Sequence, residues 1–335
     1  MTQSELTQKS SLLEQAEEAI VVLFCLVDEA YHILNPKAEH YESLKQLSDS
    51  EVITLALLQQ LRGVESERSF LREAARFFSH LFLGVVGLWP SSLHRRVRRL
   101  RHYLEPLRRA ILPELVGEPE TLIVDSTLLE VLHPRQVKQS AGFDGAEWAR
   151  WSSFSVYGVK LHLLCATNRV PLSYELSSAN VADLSLTEEL LAEASFLGED
   201  LARRLLGDLA YRCQELEENL AELGILLVTE QAKQRRGARQ QIEITFASLK
   251  RVFGLGETLA KTLVGLATRI ATKITAYTYA FLVNRVLGRS QGRIKECGHE
   301  PDNTHLAVRK GIRSDSRHRR WRAAVAAGPA PTRNK

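Results

Sequence analysis

Three acidic side chains stand where burial would be costly. Asp125 lies inside LIVDSTLL, surrounded in sequence by Leu122, Ile123, Val124, Leu128 and Leu129, and Asp208 ends the apolar run RRLLGD. An unpaired carboxylate in such a run costs several kcal/mol to bury. Glu243 belongs to QQIEITFASLKRVFG, residues 240–254, where Ile242, Phe246, Leu249 and Phe253 recur at spacings of three and four and form one helical stripe. Arg239 and Lys250 share the opposite side of that helix with Glu243. One reading of these charges is a surface ion pair, worth a few tenths of a kcal/mol and in the poorer order, arginine before glutamate. The other reading is a metal site. Three acids brought to one point repel each other and raise each other's pKa, and a divalent cation removes the conflict. All-oxygen ligation favours Mg²⁺ or Mn²⁺ over zinc. Two such ions about 3.5–4 Å apart clamp the attacking and leaving oxygens of a phosphoryl transfer. Taken singly, each acid also has a plain structural reading: Asp125 as a turn cap, Asp208 as the start of a turn, Glu243 as a surface residue.

The elements that must position these acids follow from periodicity. From about residue 120 the pattern is that of strands: ETLIVDSTLLEVL, FSVYGVKLHLLCAT and RVPLSYELSSA in succession, then ARRLLGDLAY and ILLVTE separated by helices. A helix is expected to begin near Asp183, another to span CQELEENLAELG and close at Gly224, and a long one to cover TLVGLATRIATKITAYTYAFLVNRVLG after the Glu243 helix. Two antiparallel steps followed by right-handed crossovers predict an α/β domain with a mixed five-stranded sheet covered by helices. If the first and fourth strands are parallel neighbours, Asp125 and Asp208 project into one place, and Glu243 can join them.

Residues 1–115 read as helical. SLLEQAEEAIVVLFCLVDEAYHIL is one amphipathic helix, LSDSEVITLALLQQLRG a second with Ser48 or Ser50 as cap, and ERSFLREAARFFSHLF a third. In SSLHRRVRRLRHYLEPLRRAI, Leu93, Val97, Leu100 and Leu104 form the inward stripe, and Arg95, Arg96, Arg98, Arg99 and Arg101 cover the rest. Two helices, a short turn and a basic helix opening with serines are compatible with a helix-turn-helix reader of DNA, and equally with a bundle helix whose arginines are solvated.

The chain has 335 residues and is 44% hydrophobic, in the ordinary range for a globular protein. The net charge of +4 is unevenly spread. Residues 288–335 hold 12 Lys/Arg and 4 Asp/Glu, leaving 32 and 36 in residues 1–287, so the basic excess belongs to the C-terminal stretch. Within the body, basic residues cluster at Arg95–Arg109 and Lys233–Arg251, which suits a polyanionic partner and equally a solvated face. No apolar run reaches the ~18 residues that span a bilayer, and the polar, acidic start lacks a secretory signal, so a cytoplasmic protein associated with the nucleoid is expected. The four cysteines, Cys25, Cys165, Cys213 and Cys297, are far apart and are expected to be reduced thiols. Beyond Gly288 the apolar periodicity stops, and the Arg-, Gly-, Pro- and Ser-rich residues 297–335 are expected to be a disordered basic tail.

The chain resembles bacterial insertion-sequence DDE transposases over roughly residues 45–295. The resemblance rests on IVDSTLLEV around Asp125, on YGVKLHLLCATNRVPLSYELSSANVADLSL from Tyr157 to Leu186, on GDLAYR around Asp208, and on R-x-x-x-E-x-x-x-x-x-x-K through Arg239, Glu243 and Lys250. The last is similar to that family's YREK box, with Arg236 where the tyrosine would stand. It implies a ribonuclease-H-like catalytic domain over residues 116–296, a helical DNA-binding region over residues 1–115, and Asp125, Asp208 and Glu243 as the triad. It further implies two Mg²⁺ ions, with Mn²⁺ able to substitute, and a homodimer on DNA. The activity implied is cleavage at the element's ends, then attack of the freed 3′-hydroxyl on target DNA. GRIKE, residues 292–296, resembles a family ending, and residues 297–335 depart from the family.

Expected DNA contacts are Arg95, Arg96, Arg98, Arg99, Lys160, Arg239 and Lys250, with His133, Arg135 and Lys138 as further residues that would touch a strand or be solvated. Asn180 and Asp183 are expected to cap the helix they precede, His162 to be structural, and Trp148 and Trp151 to pack or to stack on an unpaired base. Two rival readings stay open at this point. One is a nuclease that cuts without joining; the other is a catalytically inactive, transposase-derived DNA-binding protein, for which Arg236 and the altered ending speak.

Overall fold

The computed structural model describes residues 3–37, 45–137, 142–151, 154–198, 201–229, 237–257 and 259–294. The described residues form two compact units, one within residues 3–114 and 271–294, the other within residues 115–270.

The first unit is helical: α1 (Gln3–Leu34), α2 (Asp49–Leu61), α3 (Glu67–Phe77), α4 (Pro90–Val116) up to residue 114, and α9 (Leu263–Val286) from residue 271 onward. Helix α2 starts where the sequence gives a capping box. Ser48 Oγ accepts from the Glu51 amide at 3.0 Å, and the Glu51 carboxylate accepts from the Ser48 amide at 2.6 Å. The C-terminal part of α9 is buried nearly all round, with Tyr277, Tyr279, Phe281 and Leu282 no more than 1% exposed. A helix without a polar face must be enclosed on every side. Its one buried cation, Lys273, is matched by Glu65 at 2.8 Å and Gln60 Oε1 at 3.0 Å. The connection between α3 and α4 runs over residues 78–89, including a 3₁₀ turn at Leu83–Val85. That is far longer than the ~3–4-residue turn of a helix-turn-helix, and α4 itself has 27 residues.

The second unit is built on a mixed sheet of β1 (Thr121–Leu132), β2 (Glu147–Trp151), β3 (Phe154–Ala166), β4 (Pro171–Ser178), β5 (Arg204–Gly207) and β6 (Leu226–Thr229). The order is β2–β3–β1–β5–β6, with β4 also paired to β3. Strands β1, β3, β4, β5 and β6 are the five expected from the sequence, in the expected mixture of antiparallel and parallel pairs. The sixth, β2, was not foreseen. It pairs with Phe154–Gly158 at the start of the 13-residue β3, the part that β4 does not cover. Short helices α5 (Pro134–Val137), α6 (Thr187–Ala194) and α7 (Gln214–Glu222) complete the unit together with α8 (Ala238–Arg251).

Alternation along β1 sends successive side chains to opposite faces. Leu122, Val124, Leu164, Leu190, Leu191, Leu216 and Leu220 form one core, which joins the sheet to α6 and α7. On α8, Ile242, Phe246 and Leu249 are buried as their spacing requires, as is Phe253 just past its end, each contributing about 1.5–3 kcal/mol of apolar burial. Helix α8 packs on β1, where Lys250 Nζ donates to Thr127 Oγ1 at 2.6 Å.

Candidate active site

The two aspartates emerge together because β1 and β5 are parallel and in step. Ile123 stands opposite Leu206, so two residues further on each strand delivers its acid at the same end of the sheet. Asp208 comes just after β5 ends at Gly207, and its Oδ1 accepts from the Ala210 amide at 2.8 Å, which caps the 3₁₀ turn Leu209–Tyr211. Gly207 is required there by close approach: a Cβ would lie 2.8 Å from the Tyr211 ring. The turn folds that ring back beneath the strand end. Tyr211 is fully buried, and its hydroxyl has no hydrogen-bond partner.

Helix α8 brings the third acid. Arg239 and Glu243 are one turn apart, and Arg239 Nη2 lies 3.8 Å from Glu243 Oε1 and 3.8 Å from Asp208 Oδ2. The Arg239 side chain is 15% exposed, that of Glu243 56%. Asp125 is the most deeply set. Burial pushes its pKa up from 3.8 to about 6, with Asp208 and Asp183 adding to the rise, while the Ser126 amide (2.8 Å) and Arg239 oppose it. Burial also raises the Tyr211 hydroxyl, as do the charges of Asp125, Asp183 and Asp208. Burial lowers the Lys250 ammonium, and Asp125 partly restores it. Charge thus links Arg239 to Asp208, Glu243 and Asp125, and Asp125 in turn to Lys250 and Tyr211.

Other expected site residues are placed differently. Lys160 does not reach out toward a ligand. It is 12% exposed, 2.8 Å from Asp183 Oδ1 and 2.5 Å from the Val181 carbonyl, to which it donates. Asp183 caps no helix: Ala182 precedes the 3₁₀ turn Asp183–Leu186, and α6 starts only at Thr187. Instead its carboxylate accepts from Ser126 Oγ at 2.5 Å. Burial opposes ionisation of Asp183, but Lys160 and Ser126 outweigh it and lower its pKa. His162 completes this network through Ser177 Oγ at 2.8 Å and the Asp183 carbonyl at 3.3 Å, a structural role as expected. The register sets Ser126 opposite His162, on the face of β1 away from Thr127 and Lys250. Trp148 is 43% exposed and lies against Tyr157, ring centroids 5.3 Å apart. In the helical unit Arg95, Arg98 and Arg99 are exposed, whereas Arg96 is held by Asp49 at 2.6 Å. His133 and Arg135 are exposed. Lys138, Arg236, the Trp151 side chain and residues 295–335 lie outside the described residues.

Residues 117–279 match the model of a family described as the transposase DDE domain. Over those residues the chain is similar to a transposase DDE domain. Such domains perform metal-dependent DNA cleavage and strand transfer, and all three expected acids fall within the matched segment. Among solved structures, a piggyBac transposase in a synaptic complex with hairpin DNA is similar at 12% identity and a TM-score of 0.43, covering 83% of this chain and 78% of that one. No curated protein matches the chain. No helix among the described residues is long and apolar enough to cross a membrane.

The chemistry of the three expected acids suits a hard divalent cation. Asp125, Asp208 and Glu243 offer only oxygens, and the half-buried Asp125 carboxyl has a single hydrogen-bond donor, the Ser126 amide, among the described residues. As they stand, no three His, Cys, Asp or Glu side chains among the described residues are grouped tightly enough to enclose an ion. The guanidinium of Arg239 lies between two of the acids. Tyr211, Ser126 and Thr127 escaped sequence reasoning; the only available cues were their closeness to Asp125 and Asp208 in IVDST and GDLAY.

Proposed function

We propose that Asp125, Asp208 and Glu243 hold two Mg²⁺ ions, replaceable by Mn²⁺, and that the chain cuts the ends of a bacterial insertion sequence and joins them to target DNA as a homodimer. The observation that supports this most directly is the parallel register of β1 and β5, which delivers Asp125 and Asp208 to one end of the sheet beside Arg239 and Glu243 of α8. Bound divalent ions would activate a water or 3′-hydroxyl and stabilise charge on the departing oxygen. The chain's own residues do the rest. Asp125 gives up its proton near pH 6 to become a ligand. Lys250, held by Thr127 beside β1, offers a cation to a phosphate close to the acids. The exposed Arg95, Arg98 and Arg99 of α4 would track the duplex backbone. Arg96 and Lys160, tied to Asp49 and Asp183, contribute through structure. Such a protein would work in the cytoplasm at the nucleoid.

The test is to incubate the protein with DNA bearing the element's ends and Mg²⁺, scoring nicking and strand joining separately. Glu243→Gln should bind that DNA with unchanged affinity and lose cutting by orders of magnitude, as should Asp125→Asn and Asp208→Asn, and double variants should lose little more. Cutting at the normal rate by Glu243→Gln would remove that residue from the site. Cutting without joining by the unaltered protein would make it a nuclease.

A further inference from the structure

Arg239 is held in an unusual way. Its side chain is largely buried, yet its Nη2 stands 3.8 Å from Asp208 and from Glu243, beyond hydrogen-bonding range of both. Its Nε is buried with no hydrogen-bond partner. The Asp208 carboxylate is divided: Oδ1 serves the Ala210 amide, while Oδ2 faces Arg239. The guanidinium is therefore placed by charge and not clamped by its N–H groups. A structural salt bridge of arginine is normally bidentate and short. This geometry is that of a cation occupying a centre it can leave.

We propose that Arg239 is the internal counter-cation of the acidic cluster, holding Asp208 and Glu243 when no metal is bound and vacating them as a divalent cation enters. The proposal rests on the assignment of the three acids above. A guanidinium 3.8 Å from Asp208 and from Glu243 repels a divalent cation approaching the same oxygens and has no lone pair with which to bind it, so metal loading competes with the resting position of Arg239. Arg239 then has two tasks in order. It first keeps a repulsive set of carboxylates together. Once displaced, its planar fork with all its donors unspent is free for a phosphate. It acts as a positioning residue for the metal and sets the threshold for loading.

The experiment is Mn²⁺ binding to the full chain, followed by calorimetry and by the rise in thermal midpoint, with no DNA present. Arg239→Gln should bind Mn²⁺ about tenfold more tightly, the factor expected when a competing neighbouring charge is removed, and should melt below the unaltered protein in EDTA. Arg239→Lys, which restores a cation, should return affinity toward that of the unaltered chain. Equal or weaker Mn²⁺ binding by Arg239→Gln would overturn the proposal. Should that variant fail to fold, the unaltered protein still decides the matter. Its Arg239 Nε–Hε NMR signal, assigned from its loss in Arg239→Lys, must move on Mg²⁺ titration with the midpoint of the thermal shift. A signal unmoved at saturating Mg²⁺ excludes displacement. Asp125→Asn and Glu243→Gln serve as the control on the site itself. If they keep the full Mn²⁺ response, the assignment of the acids fails, whatever Arg239 does.

Discussion

At the scale of single residues, the chemistry is set by how much ionisation costs at each acid. Asp125 is the expensive one: burial, backed by Asp208 and Asp183, moves its pKa from 3.8 to about 6, a difference worth about 3 kcal/mol. An acid raised in this way binds more protons folded than unfolded between about pH 4 and pH 6, so stability falls as pH rises through that window and the full cost stands above it. Asp125→Asn should therefore stabilise the metal-free protein at pH 8 by up to about 3 kcal/mol, with the gain shrinking toward zero near pH 4. Urea unfolding in EDTA at the two pH values measures this, and a gain independent of pH would show that Asp125 is not ionised at cost. The importance of Asp125 was legible in the sequence, since an acid inside LIVDSTLL has no cheap explanation. The surroundings that tune it were not. Arg239 and Asp183 meet it only through pairing across residues far apart in the chain, and Asp183, read as a helix cap, turns out to neutralise Lys160.

At the scale of elements, the fold was readable wherever local periodicity carried it. The apolar runs that became β1, β3, β4, β5 and β6 and the stripe of α8 are where the pattern puts them. Strand β2 was hidden because EWARW is five residues of mixed polarity, equally acceptable as loop; it becomes a strand because the first part of β3 needs a neighbour. The link from β5 to the candidate site is narrower still. It depends on Gly207, whose missing Cβ admits the Tyr211 ring at a distance where no side chain fits. Gly207→Ala should force the ring and the Asp208 turn apart, costing about 1–3 kcal/mol and reducing cutting more than stability alone explains. Denaturation midpoints compared with Mn²⁺ affinity check this. Intact Mn²⁺ binding in a destabilised Gly207→Ala protein would mean that the turn does not position Asp208.

At the scale of the whole molecule, the chain assigns its charges to two units. The acids belong to residues 115–270, whereas the exposed arginines of α4 belong to the helical unit. Helix α4 shows why the sequence could not separate five similar arginines: Arg96 is spent on Asp49, which Lys45 also neutralises, while Arg95, Arg98 and Arg99 form no ion pair among the described residues. Only the partner residue, 47 positions away, reveals the difference. Binding and metal loading should accordingly be separable by mutation. Replacing Arg95, Arg98 and Arg99 together by alanine removes three phosphate contacts, so the slope of log affinity against log salt should fall by about 2.7. Replacing Arg96 should leave that slope almost unchanged and should lower stability instead, because Asp49 loses a partner at 2.6 Å. The rise in thermal midpoint with Mn²⁺ should be the same in the triple variant as in the unaltered chain, since the acids are untouched. Duplex binding titrated by anisotropy from low to moderate salt, with melts in parallel, gives all three quantities. An unchanged salt slope in the triple variant would make α4 an ordinary solvated helix and move the DNA contacts elsewhere.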